Sequence, residues 1–212
     1  MGQISKGILG GFSGKVGTVI GGTWKGIDYM RSKSGKRSGT ATQLQMEQRA
    51  KFAITTKFIH SMGDLLMVSF RKFAVQQTGI NSAFAYVLAN CITGVYPAYA
   101  LDYTMALVSR GDLPNGNAPA AAAAGNGEIG FTWQDNTGTG KALGTDKAIL
   151  VAYCPAKQKT VHSTGSALRA TGTGKLNLAE FAGETVETWV GFISADGRQV
   201  ASSVHTGQVV VS

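Results

Sequence analysis

EIGFTWQDNTGTGKALGTDKAILVAYCPAKQKTV, residues 128–161, alternates Ile129, Phe131 and Trp133, breaks at DNTGTG, resumes as the apolar run AILVAYC and turns again after Pro155. Period-two spacing between clusters of Gly, Asn, Asp and Pro predicts strands, with Trp133 directed inward on an early one. The same texture runs to residue 212 through QKTVHS, ALRATGT, KLNLAEF, ETVETWVGFIS, VASSVHT and GQVVVS, with SADGRQ as a turn. Val186, Trp189 and Phe192 populate a later strand of the series. Seven or so short strands in this span predict a β-sandwich over 128–212.

Upstream the periodicity changes. PNGNAPAAAAAGNG, residues 114–127, has small residues, two prolines and no apolar period, and it reads as a linker. Residues 42–77 space Phe52, Ile59, Met62, Leu66, Phe70 and Phe73 as one helical face, with Lys57, Asp64 and Arg71 opposite and Gly63 as a break or a close helix contact. TGINSAFAYVLANCITG, 78–94, predicts a second, buried helix with Asn81 and Ser82 as cap candidates and Gly94 as its stop. Leu101, Tyr103, Met105 and Leu107 alternate as a strand that closes a helical segment spanning 42–113. The fold class expected is α+β: an N-terminal glycine-rich arm, helices, then the sandwich.

That arm is residues 1–41, where GILGGFSGKVGTVIGGTWKGIDYMRSK places glycines at 7, 10, 11, 14, 17, 21, 22 and 26 with Val16, Val19, Ile20, Trp24 and Tyr29 between them. Gly10, Gly14, Gly17, Gly21 and Gly22 remove side chains so that another backbone or flat surface can approach, and the five large residues remain as anchors. So many glycines cost too much entropy for an isolated domain interior, so the reading is an arm ordered by a neighbouring subunit. Residues 1–75 carry twelve Lys or Arg against three Asp or Glu, a net +9, while 76–212 carry eight against nine. Such asymmetry fits contact with nucleic acid, an anionic surface or a neighbour's acidic face, and it also fits solvated lysines. Arg31, Lys33, Lys36 and Arg37 in RSKSGKRSG are the candidate anion or nucleic-acid contacts, although the stacking aromatics of a single-strand reader are absent there.

Several chemistries fail on spacing. Gly14-Lys15 has Leu9 where a P-loop needs glycine and Val16 where it needs Ser or Thr, and no GxGxxG lies within a βαβ unit. GxSxG and HExxH are missing, and the acidic residues are too dispersed to nominate a carboxylate pair. Cys91 and Cys154 fall in different expected domains, with no second Cys or His at ligand spacing, so neither a disulfide framework nor a metal site is expected. No cofactor is expected. Arg110-Gly111-Asp112 reads as a turn leaving a strand rather than an adhesion tripeptide. No apolar run reaches secretory h-region or membrane-span length.

Residues 128–212 resemble the fibronectin type III and immunoglobulin-like family. EIGFTWQDNTGTG has the place and the tryptophan of its second strand, AILVAYCPAKQKTV is similar to its central strand and turn, and LNLAEFAGETVETWVGFISADG to its last long hairpin. That family's usual tyrosine before the last hairpin has no counterpart in GETVETWV. The chain also resembles, end to end, a family of uncharacterised proteins widespread in Bacteroidota, through the glycine-rich segment, CITGVYPAYALDY, VSRGDLP, FTWQDNTGTG and GFISADG. This second resemblance implies a lineage and no activity. Together the observations imply a non-enzymatic structural subunit that partners itself through the arm, in an extracellular filament or a phage-type particle rather than in the cytoplasm. The alternatives are a nucleic-acid-associated protein using 25–57 and, on fold analogy alone, a glycan-binding module.

Overall fold

The computed structural model describes residues 2–4, 7, 10–35 and 39–212. The chain divides into two compact units, 1–42 and 43–212.

The first unit is a sheet, not a bare arm. Strands β1 (Gln3–Ile4), β2 (Phe12–Val16), β3 (Val19–Trp24) and β4 (Ile27–Ser32) form an antiparallel meander in that order. Two tight reversals set its register. Gly17-Thr18 joins β2 to β3 with Val16 opposite Val19, and Lys25-Gly26 joins β3 to β4 with Trp24 opposite Ile27. Lys25 and Gly26 both have positive φ, 47° and 83°, as a type I′ two-residue hairpin turn requires.

The second unit has three layers. Helix α1 (Gln43–His60) is followed by α2 (Gly63–Ser69), a short 3-10 turn at Arg71–Phe73, and α3 (Gly79–Asn90). The single helix expected over 42–77 is therefore broken, and Gly63 marks the break: a Cβ there would meet only Ile80 Cδ1, at 3.7 Å, which is not a close helix crossing. Thr78, rather than Asn81 or Ser82, caps α3, its hydroxyl accepting from the Asn81 N–H at 3.1 Å. The helix stops at Asn90 instead of Gly94 because Ile92–Val95 (β5) pairs with Ala98–Leu101 (β6). The strand expected to alternate on through Leu107 ends at Leu101, where Asp102 closes a turn by accepting from the Thr104 N–H at 3.0 Å.

Residues 114–127 are not a linker. Asn117–Gly125 is strand β7, paired with β8 (Glu128–Gln134) across a turn in which Gly125, Asn126 and Gly127 all have positive φ. The remaining strands are β9 (Lys147–Cys154), β10 (Lys159–Leu168), β11 (Thr173–Asn177), β12 (Thr185–Ile193) and β13 (Val204–Val210). They make two antiparallel sheets, β11-β8-β7 and β10-β9-β12-β13, the three-on-four sandwich arrangement of immunoglobulin-like folds. The fold is α+β.

Strands β9 and β12 are buried on both faces, which explains their unbroken apolar runs. Leu150, Ala152, Val190 and Phe192 point between the sheets with Ile129, Phe131 and Trp133. Ile149, Val151, Tyr153 and Trp189 point the other way, onto Phe58, Ile59, Leu66 and Phe70 of the helical layer. Trp189 is thus on the opposite face of its strand from Val186 and Phe192. Its indole N–H donates to the Ala106 carbonyl at 2.9 Å, joining the loop after β6 to the sheet. Since the helical segment and the sandwich share a core, the boundary expected between them disappears.

One end of the sandwich holds a fully buried ion pair. The Arg169 Nε donates to Asp146 Oδ2 at 3.0 Å, its Nη1 to Asn136 Oδ1 at 2.6 Å and its Nη2 to the Pro114 carbonyl at 2.8 Å. The guanidinium also lies 4.1 Å from the Phe192 ring centre. Every branch of the cation is engaged, which is the condition for burying it.

Candidate functional site

The described residues among those singled out in the first forty fall along one sheet and its turns. Gly14 lies opposite Gly21, Val16 opposite Val19, Gly22 opposite Tyr29, and Ile20 opposite Arg31. Gly17 is in the first turn with φ 59°, and Gly10 precedes β2, its N–H donating to the Gly7 carbonyl at 3.0 Å. Lys33 follows β4, and its N–H donates to the Thr18 carbonyl at 2.7 Å. Lys36 and Arg37 lie outside the described residues.

Strand alternation sorts these side chains onto two faces. Phe12, Val16, Val19 and Met30 share one with Ile4, while Ile20, Trp24, Ile27, Tyr29 and Arg31 share the other with Lys15. Both faces are therefore rich in large apolar groups, and neither is closed: Val16 is 56%, Trp24 54% and Met30 71% exposed, and Ile4, Ile27 and Tyr29 are exposed as well. Every residue of β4 is exposed. Ile4, Ile27 and Met30 join the anchors expected from the sequence, and alternation about V-G-T-V and W-K-G-I is the signal for the last two.

At two glycines the close approach is made by the sheet itself. A Cβ on Gly21 would come within 2.2 Å of the Phe12 carbonyl oxygen and 2.8 Å of its ring carbons, and one on Gly22 within 2.9 Å of the Tyr29 hydroxyl. The bare backbone thus admits the Phe12 main chain and ring at Gly21 and the Tyr29 side chain at Gly22. Asp28, the one acidic residue of 1–42, accepts from the Thr23 hydroxyl at 2.6 Å.

In the second unit the other candidates are occupied. Arg110 lies 4.3 Å from the Phe73 ring centre and 5.2 Å from that of Tyr86, and Asp112 is salt-bridged to Lys72, so the Arg-Gly-Asp tripeptide is held in place by the fold. Cys91 and Cys154 are free and fully buried. Burial, with a smaller contribution from the Asp102 charge, pushes the Cys91 thiol up to about 11. His205 Nε2 lies 2.7 Å from Glu187 Oε2, and Gln208 donates to Oε1 at 2.7 Å, which uses both oxygens of that buried carboxylate. A cleft of about 440 Å³ is lined by Val68 and Val200 with Arg71, Lys72, Arg198 and Asp196 around it. Among the described residues, no three His, Cys, Asp or Glu side chains gather as a metal site, and no helix is long and apolar enough to cross a membrane.

Residues 11–207 match DUF6266, a family of unknown function. The chain belongs to that family. The DUF6266 match takes in β2 to β4 of the sheet together with the helices and most of the sandwich, so both units belong to the family's pattern. Among solved structures, this DUF6266 chain is similar to the fn3 domain of the human collagen alpha-1(XX) chain, at 17% identity and a TM-score of 0.35, over 49% of this chain and 91% of that one. No curated protein matches it.

Proposed function

We propose that this DUF6266 protein is a non-enzymatic structural subunit that assembles with its own copies through the N-terminal sheet, as a filament or a phage-type particle outside the cell, and displays the 43–212 unit. One observation carries the reading: a four-stranded sheet holds large exposed apolar side chains on both faces. A sheet's apolar face must be buried against another element for the fold to gain from it, and a layer with two such faces is a surface built to be covered.

Negative-stain microscopy and light scattering of the full chain, beside a protein comprising 43–212, test the proposal. Ordered filaments or shells in the first and dispersed particles in the second are expected. Full-length protein that stays dispersed at high concentration overturns it. The excess of Lys and Arg in 25–57 would then favour the nucleic-acid reading, for which duplex affinity must fall steeply with salt.

A further inference from the structure

The meander ends on an unprotected edge. Among the described residues strand β4 pairs with β3 alone; it runs six residues, contains no proline and shows no register shift. Charges, bulges, prolines and short strands are the usual guards of a sheet edge. Here only Asp28 and Arg31 carry charge, and they project from opposite faces of the strand.

The register shows which main-chain groups are free. Lys33 donates to the Thr18 carbonyl, so Thr18 and Lys33 form a hydrogen-bonded pair. In an antiparallel ladder such pairs alternate, which directs the N–H and C=O groups of Ile27, Tyr29 and Arg31 toward β3 and those of Asp28, Met30 and Ser32 outward.

We propose that two copies of this chain join edge to edge, β4 against β4, antiparallel about a two-fold axis at Met30, making a continuous eight-stranded sheet. The inference rests on the sheet being the assembly surface and specifies how it is used. A two-fold axis perpendicular to the sheet keeps each side chain on its own face, so only residues of like parity can stand opposite each other. Centring on Met30 aligns the outward groups of Asp28 with those of Ser32 and Met30 with its own copy, forming about six new main-chain hydrogen bonds. Across the junction Asp28 stands opposite the hydroxyl of Ser32, Arg31 opposite Tyr29, and Ile27 opposite the long stem of Lys33, so no like charges stand directly opposite each other, and the two Arg31 are diagonal neighbours. Centring one residue earlier, at Tyr29, sets Asp28 against Met30 and Arg31 against Ile27, leaving each charge beside an apolar partner. The surface is self-complementary in the first register, which identifies the occupant as a second copy.

Amide hydrogen exchange and sedimentation of the full-length protein decide it. On assembly the amides of Asp28, Met30 and Ser32 gain protection while those of Tyr29 and Arg31 are protected throughout. Met30→Pro removes an outward donor without touching a bond to β3, and it weakens association by about tenfold or more. Assembly with freely exchanging amides at 28, 30 and 32, undiminished by Met30→Pro, overturns the edge junction and leaves assembly through a face. Full-length protein that never associates overturns the assembly reading and this inference with it.

Discussion

At the scale of the residue, burial sets what the ionisable groups of the second unit can do. Cys91 rises from an ordinary 9.0 to about 11, chiefly because the fold takes the thiol out of water, and Tyr153 rises from 10.0 to about 12 for the same first reason. Both groups bind a proton more tightly folded than unfolded. Their contribution to stability is therefore complete below about pH 9 and is lost as pH climbs through the unfolded values toward the folded ones. The urea midpoint of the 43–212 unit is expected to fall between about pH 8 and about pH 10.5, and Cys91→Ala should flatten that fall. An unchanged midpoint would place both groups in water. Their burial was not legible in the sequence, because it is a property of neighbours brought in from far along the chain.

Among the elements, β7 gives the clearest lesson. Five consecutive alanines carry neither alternation nor β-propensity, and Pro119 argues against a central strand. Yet β7 is an edge strand of its sheet, pairs with β8, and packs Ala121 against the core between the sheets. Replacing Ala120–Ala124 with GSGSG should destabilise the unit by about 1.5–3 kcal/mol, from roughly 0.5–1 kcal/mol for each Ala exchanged for Gly. A linker would tolerate the change, so an unaltered unfolding midpoint would contradict the strand. By contrast β8, β9 and β12 were legible, since their alternating or continuous apolar runs record how many faces each one buries. The glycine-rich hairpins were not, because glycine at every third position hides the alternation and suggests a chain without structure of its own.

On the scale of the whole molecule, the helical layer makes the 43–212 unit more than a displayed sandwich. Phe58, Ile59, Leu66 and Phe70 cover the outer faces of β9 and β12. A protein truncated to 114–212 therefore exposes Ile149, Val151, Tyr153 and Trp189 together, an apolar patch that monomers rarely tolerate. It is expected to bind a hydrophobic dye strongly and to aggregate, whereas 43–212 should do neither. A well-behaved 114–212 fragment would show the sandwich to be independent of its helices. The two-unit division also refines the expected map: residues 1–42 form one unit, and the helices, the supposed linker and the sandwich form the other.

Read alone, the sequence specifies the α+β class, the sandwich strands β8, β9 and β12 and the peculiarity of the first forty residues. Local periodicity is written along the chain and needs only neighbours three or four positions away to be read. The tertiary structure alone decided that an alanine run becomes a sandwich strand, that helices close one face of the larger sheet, and that the glycine-rich segment is a meander with an open edge. Each of those outcomes depends on pairing or packing between residues distant in sequence, and no local pattern encodes which partner a strand or an apolar face will meet.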